Sequence, residues 1–154
     1  MSDQVEIWTD GGCVGNPGPG GWAFVMQIGA RVEEYSGFDQ STTNNRMELT
    51  AVREALLKLS GQASSRGLPV TLHTDSQYVQ KGITQWIHAW ERNGWRTSGK
   101  KPVKNSELWR ALSDLSRGMA ITWAWVKGHA GNEMNERCDS LVQEAIARGL
   151  KRGT

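Results

Sequence analysis

Val5-Glu6-Ile7-Trp8-Thr9-Asp10 reads as a strand, and Val70-Thr71-Leu72-His73-Thr74-Asp75 reads as another that also ends on an aspartate. Short runs rich in β-branched and aromatic residues, with apolar and polar positions interleaved, are the mark of a half-buried strand. Between the two, Leu49, Val52, Leu56 and Leu59 recur at helical spacing within Asn44–Ser60, and Thr43 or Asn44 can cap its first turn. Strand, helix and strand in this order imply a right-handed crossover and parallel pairing.

Working outward, Trp22–Ile28 reads as a strand, and Gly29-Ala30 can turn the chain into another over Arg31–Gly37. The chain therefore opens as an antiparallel meander of three strands. Gly11–Gly21 holds six glycines and two prolines and reads as turn or loop, as does Gly61–Pro69. Ser76 starts another helix, Asn105 caps one that runs through Arg117, and Ile121–Val126 is a strand. The last helix spans Glu133 to Arg148, with Met134, Cys138, Leu141, Val142, Ala145 and Ile146 as its apolar residues and Gly149 as its terminator. Trp109, Trp123 and Trp125 read as core. The fold class is α/β, a mixed five-stranded sheet with helices on its faces, and residues 1–154 form one domain.

The charge is unevenly spread. The whole chain carries +2, but Lys81–Lys104 holds six basic residues against one acid, a net +5, which leaves −3 for the remainder. A basic segment on an acidic body marks a localised anion-binding surface. No apolar run approaches the ~20 residues needed to span a bilayer, and Met1-Ser2-Asp3-Gln4 does not start a secretory signal. Cys13 and Cys138 lie far apart and form no CxxC pair, which favours free buried thiols in a reducing compartment and a cytoplasmic protein.

Four acids occupy unusual places. Asp10 and Asp75 end strands, where sites gather in open α/β sheets. Glu48 lines up with Val52, Ala55 and Leu59, and Asp139 with Val142 and Ile146, so both sit on the inward stripes of their helices. A carboxylate aimed at a core needs a partner or a metal. Clustered oxygen ligands favour a hard divalent cation such as Mg²⁺.

Thr9-Asp10-Gly11-Gly12-Cys13 with Gly15-Asn16-Pro17-Gly18, Thr43–Leu49, Thr74–Val79, Trp125–Gly131 and Asn135–Asp139 together resemble, in order, the motifs of bacterial type 1 ribonuclease H. The resemblance covers nearly the whole chain. It implies the ribonuclease H-like fold with strand order 3-2-1-4-5. It also implies endonucleolytic hydrolysis of the RNA strand of RNA–DNA hybrids by two metal ions, leaving 5′-phosphate and 3′-hydroxyl ends. Asp10, Glu48, Asp75 and Asp139 are then the ligands of two Mg²⁺ ions, with Mn²⁺ a possible substitute. His129 is the loop histidine that assists proton transfer or product release. Its glycine-flanked position suits mobility, and imidazole suits proton shuttling.

The resemblance further assigns substrate contacts. Asn16, Asn44, Asn45 and Gln77 match positions that read 2′-hydroxyls in the minor groove, a task suited to amides because the hydroxyl both donates and accepts. Cys13 belongs to the same first motif and is placed with them. Thr43 and Asn105 match a DNA-phosphate pocket, and the stretch from about 81 to 104 matches a basic protrusion. There Trp86, Trp90 and Trp95 are interleaved with charge, and Trp86 and Trp90 share a helix face. Together with Lys100, Lys101 and Lys104 they suit backbone tracking plus base or sugar contact. The chain departs from the pattern at Ser41 and Gln143, where some relatives carry a basic residue, and in a longer 61–69 loop. A monomer is expected.

Overall fold

In a computed structural model, which describes residues 4–61, 67–97, 99–125 and 133–152, the chain runs β1 (Val5–Cys13), β2 (Gly18–Ile28), β3 (Arg31–Thr42), α1 (Asn44–Ser60), β4 (Val70–Thr74), α2 (Gln77–Lys81), a π-helical turn (Gly82–Trp86), α3 (Ile87–Arg92), α4 (Ser106–Ser116), β5 (Ile121–Trp125) and α5 (Glu133–Arg152). The strands form one sheet in the order β3-β2-β1-β4-β5. The first three pair antiparallel, and β4 lies parallel to both β1 and β5. Meander, crossover and strand order all agree with the sequence reading.

Strand alternation divides the apolar residues between two layers. Val5, Ile7, Phe24 and Met26 face α1 and the α2–α4 region, where they bury Leu49, Val52, Leu56, Leu108, Trp109 and Leu112. Trp8, Ala23 and Val25 face α5, where they meet Cys138, Leu141, Val142 and Ile146. Removing a side chain of this size from water contributes about 1.5–3 kcal/mol, so each helix is held by several such contacts. Thr43 caps α1 as expected, its hydroxyl accepting from the Arg46 N–H at 3.2 Å.

The structure corrects four expectations. Gly11–Gly21 is mostly strand, because β1 continues to Cys13 and β2 starts at Gly18. Its glycines serve close approach more than turning: a Cβ on Gly11 would lie 2.4 Å from the Met47 carbonyl carbon, so only glycine lets α1 rest on β1 there. Gly149 does not end α5, which runs on to Arg152. It faces the Phe38 ring, where a Cβ would come within 2.2 Å. Asn105 holds the N-cap position of α4 but caps nothing with its side chain. It sits in the left-handed region at φ 61°, and its amide is engaged elsewhere. Trp125 is 40% exposed rather than core, because it closes an edge strand; Trp109 is fully buried and Trp123 packs on the core as expected.

Gly149→Ala should lower stability by about 1–3 kcal/mol through overpacking against Phe38, despite alanine's better helix propensity. In a Phe38→Ala background the same change should become neutral or stabilising. Urea unfolding of the four proteins checks this, and destabilisation of equal size in both backgrounds would contradict the packing account.

Candidate functional site

Parallel pairing of β1 with β4 places Trp8 opposite His73. Asp10 lies two residues further along β1 and Asp75 two residues beyond His73, just past the end of β4, so backbone register brings them side by side. A stacked contact between Trp8 and His73 (5.0 Å between centroids, 6° between planes) and a 2.5 Å Glu6–His73 contact support the pairing below them. Glu48 arrives from α1, held close by the absence of a side chain on Gly11. Carboxylate oxygens of Asp10, Glu48 and Asp75 lie within 4.8 Å of one another.

The electrostatics of this trio are unfavourable without a counter-ion. One Glu48 oxygen, Oε2, is buried and lacks a hydrogen-bond partner. Burial raises the Glu48 carboxyl well above the usual carboxylate range, and the charges of Asp10 and Asp75 raise it further. A hydrogen bond from the Gly11 backbone N–H opposes the shift. An orphaned carboxylate oxygen beside two further acids fits a hard divalent cation, which would satisfy the lone pairs and cancel the repulsion. Asp139 lies outside the trio. It is half-buried on α5, next to Cys138, whose thiol donates to the Trp8 carbonyl at 3.3 Å. Burial, with Asp10 nearby, pushes that thiol up to about 12, so Cys138 is a packing residue. Both cysteines are free, though Cys13 is only half-buried. His129 and its flanking motif fall outside the described residues.

Around the trio, three expected substrate residues form a network. The Cys13 N–H donates to Asn44 Oδ1 at 2.9 Å, and the Asn44 N–H donates to Asn16 Oδ1 at 3.2 Å. Asn45 and Gln77 are exposed at the first turns of α1 and α2. Thr43 and Asn105 converge on Arg46, a residue the sequence reading passed over. Arg46 Nη1 donates to Asn105 Oδ1 at 3.0 Å and pairs with Glu107. The available sequence signal was an arginine in one first turn and an acid in another, too common a pattern to single out.

The basic segment is rooted in the core. Trp90 and Trp95 pack against the main apolar layer, Trp90 lies 5.4 Å from Trp109, and Val103 is buried. Trp86 is half-buried, its ring against those of Tyr78 and Trp90. Lys81, Arg92, Arg96, Lys100, Lys101 and Lys104 are all exposed.

The sequence pattern of the RNase H family matches residues 2–147. The chain belongs to the RNase H family. A curated relative in that family, the ribonuclease H of Hyphomonas neptunium, is 54% identical over 151 residues, with 97% of each chain covered. The RNase H fold is shared with LC9-RNase H1, a type 1 RNase H with the type 2 active-site motif, at TM-score 0.82 and 33% identity, covering 96% of this chain and 74% of that one. LC11-RNase H1, solved in complex with RNA/DNA hybrid, superposes at TM-score 0.73 and 25% identity, covering 96% and 99%.

Because folding raises the Glu48 pKa, its contribution favours the fold most below the ordinary carboxylate value of 4.5 and is lost as pH climbs through the raised value. Metal-free Glu48→Gln should therefore melt higher than the parent at pH 7, by at least ~2 °C, the shift that about 1 kcal/mol produces in a chain of this size. The advantage should shrink toward pH 4. Calorimetry in chelator checks it, and an equal or lower melting temperature at pH 7 would remove the repulsion account.

Proposed function

We propose that this chain is an endoribonuclease that hydrolyses the RNA strand of RNA–DNA hybrids, with Mg²⁺ held by Asp10, Glu48 and Asp75 and completed by Asp139. The observation that carries the reading is the buried, unpartnered Glu48 Oε2 beside two further carboxylates. Membership of the RNase H family and the hybrid bound to LC11-RNase H1 support the substrate class. Two cations in such a site supply charge neutralisation of the phosphodiester and acidification of the attacking water. The water oxygen joins phosphorus and the bond to the 3′ oxygen breaks, leaving 5′-phosphate and 3′-hydroxyl ends.

The chain's own residues then divide the remaining work. The β1–β4 register and Gly11 hold the acids in place before substrate arrives, the preorganisation on which charge stabilisation depends. The Asn16 and Asn44 amide oxygens are engaged internally, which turns their NH₂ groups into donors for a 2′-hydroxyl. Asn45 and Gln77 extend this set, so an RNA strand is preferred over DNA. His129 assists proton transfer or product release. Lys100, Lys101 and Lys104 follow the backbone of the hybrid, with Trp86 and Trp90 beside them. Free cysteines suit the reducing cytoplasm, and a site built from a single chain suits a monomer.

Asp75→Asn should reduce cleavage of labelled RNA–DNA hybrid in Mg²⁺ to near background while the melting temperature is kept or raised. Substantial residual cleavage by this variant would overturn the metal reading. Replacing Lys100, Lys101 and Lys104 by glutamine should weaken hybrid binding and make its salt dependence shallower, by roughly 0.7–0.9 for each phosphate that is no longer neutralised. An unchanged salt slope would reduce the segment to a solvated surface.

A further inference from the structure

We propose that Arg110 is a positioning residue for substrate binding: its guanidinium lies over the Trp95 ring and so fixes the turn that carries Lys100 and Lys101. The inference rests on the hybrid-substrate reading of the carboxylate site.

The outer part of the basic segment hangs on Trp95. This residue follows Gly94 just past the end of α3, and its backbone N–H donates to the Trp90 carbonyl at 2.7 Å. Its own carbonyl accepts from the N–H of buried Val103 at 3.0 Å. Between Trp95 and Val103, an antiparallel bridge joins Arg96 to Pro102, and the Thr97 N–H donates to the Lys101 carbonyl at 2.7 Å. The orientation of this turn, with Lys100 and Lys101 exposed on it, is therefore set at Trp95. Trp95 sits in the left-handed region at φ 63°, where a bulky side chain is an outlier. Such a backbone persists only when its surroundings impose it.

What imposes it is a stack that begins and ends on α4. Buried Trp109 lies 5.4 Å from Trp90, and Trp90 lies 6.3 Å from Trp95. The Arg110 guanidinium then covers Trp95, 5.4 Å from the ring centroid. Trp109 and Arg110 are consecutive, so a single point of α4 holds both ends of the stack. A guanidinium suits this task because it is planar, weakly hydrated and attracted to the face of an indole. Among the described residues no carboxylate forms an ion pair with Arg110, which leaves the ring contact as its described engagement.

Arg110 thus acts on affinity through Trp95. Without it, Trp95 is released from its left-handed backbone, and Lys100 and Lys101 no longer start from one orientation. A segment that has to be ordered during binding costs affinity. The test is anisotropy titration of a labelled RNA–DNA hybrid in chelator, where no cleavage occurs, on a double-mutant cycle of Arg110→Gln and Trp95→Leu. Arg110→Gln should bind about 2- to 5-fold weaker, the equilibrium equivalent of an exposed cation–π contact. In the Trp95→Leu background the same change should have almost no effect, because the ring is gone. Amide exchange at Lys101 and Val103 should quicken in Arg110→Gln, and in Mg²⁺ its KM should rise while kcat is kept. Equal weakening in both backgrounds would overturn the proposal, because Arg110 would then touch the hybrid directly. Unchanged affinity in Arg110→Gln would overturn it too. If Trp95→Leu does not fold, the exchange rates decide, and unchanged protection at Lys101 and Val103 counts against the grip on Trp95. If the parent protein binds no hybrid at all, the hybrid-substrate reading fails and takes the affinity role of Arg110 with it.

Discussion

Like charges brought together by backbone pairing are the constraint around which this molecule is built. Asp10 and Asp75 repel, and neither would choose the other's company in solution. Parallel hydrogen bonding of β1 to β4 leaves them no alternative, since the register Trp8↔His73 carries both chains to the same end of the sheet. The Trp8–His73 stack and the Glu6–His73 contact lie just below and resist a slip of register, which would send every side chain of the strand to the opposite face. The third acid is brought in by another backbone contact, the approach of α1 to Gly11. The site is therefore assembled by main chain, with side chains carried to it.

That arrangement trades stability for readiness. Glu48 keeps one buried oxygen unsatisfied, the kind of local penalty a fold tolerates where chemistry requires it. Two apolar layers offset the penalty, one under α1 and α4 and one under α5. A cation entering the trio would find ligands already in place.

The basic segment follows a different rule. Its aromatic residues, Trp90 and Trp95, are turned inward to anchor the basic segment, while its lysines are turned outward. Trp90 and Trp95, expected from sequence as contact residues, thus have a structural role visible in the fold, while Trp86 packs only against the Tyr78 and Trp90 rings among the contacts described. Lys100 and Asn105 both adopt left-handed backbone, which turns the chain sharply on either side of the Lys101–Lys104 stretch. Rigid roots with charged tips let a segment follow a polyanion without collapsing on the body.

Much was legible from residue order. Periodicity in Asn44–Ser60 fixed the bounds of α1 at both ends, because a 3.6-residue apolar stripe depends only on local geometry. The same logic marked Glu48 as an inward acid, and the motif resemblance named its companions. What the amino-acid string did not disclose is which glycines turn the chain and which are pressed against a neighbour. Gly11 and Gly149 look like punctuation in sequence and are contact points in space, a distinction made by Met47 and Phe38, which lie far away along the chain. Nor did it disclose that Asn105 would abandon its cap for Arg46 and Tyr78, or that Trp125 would stand at an exposed edge. The sequence by itself determined element types, the parallel crossover and the identity of the acids, since these follow from local pattern and residue chemistry. Tertiary structure alone decided the strand register, the close backbone approaches and the Arg46 network, since each depends on residues that only folding brings within reach.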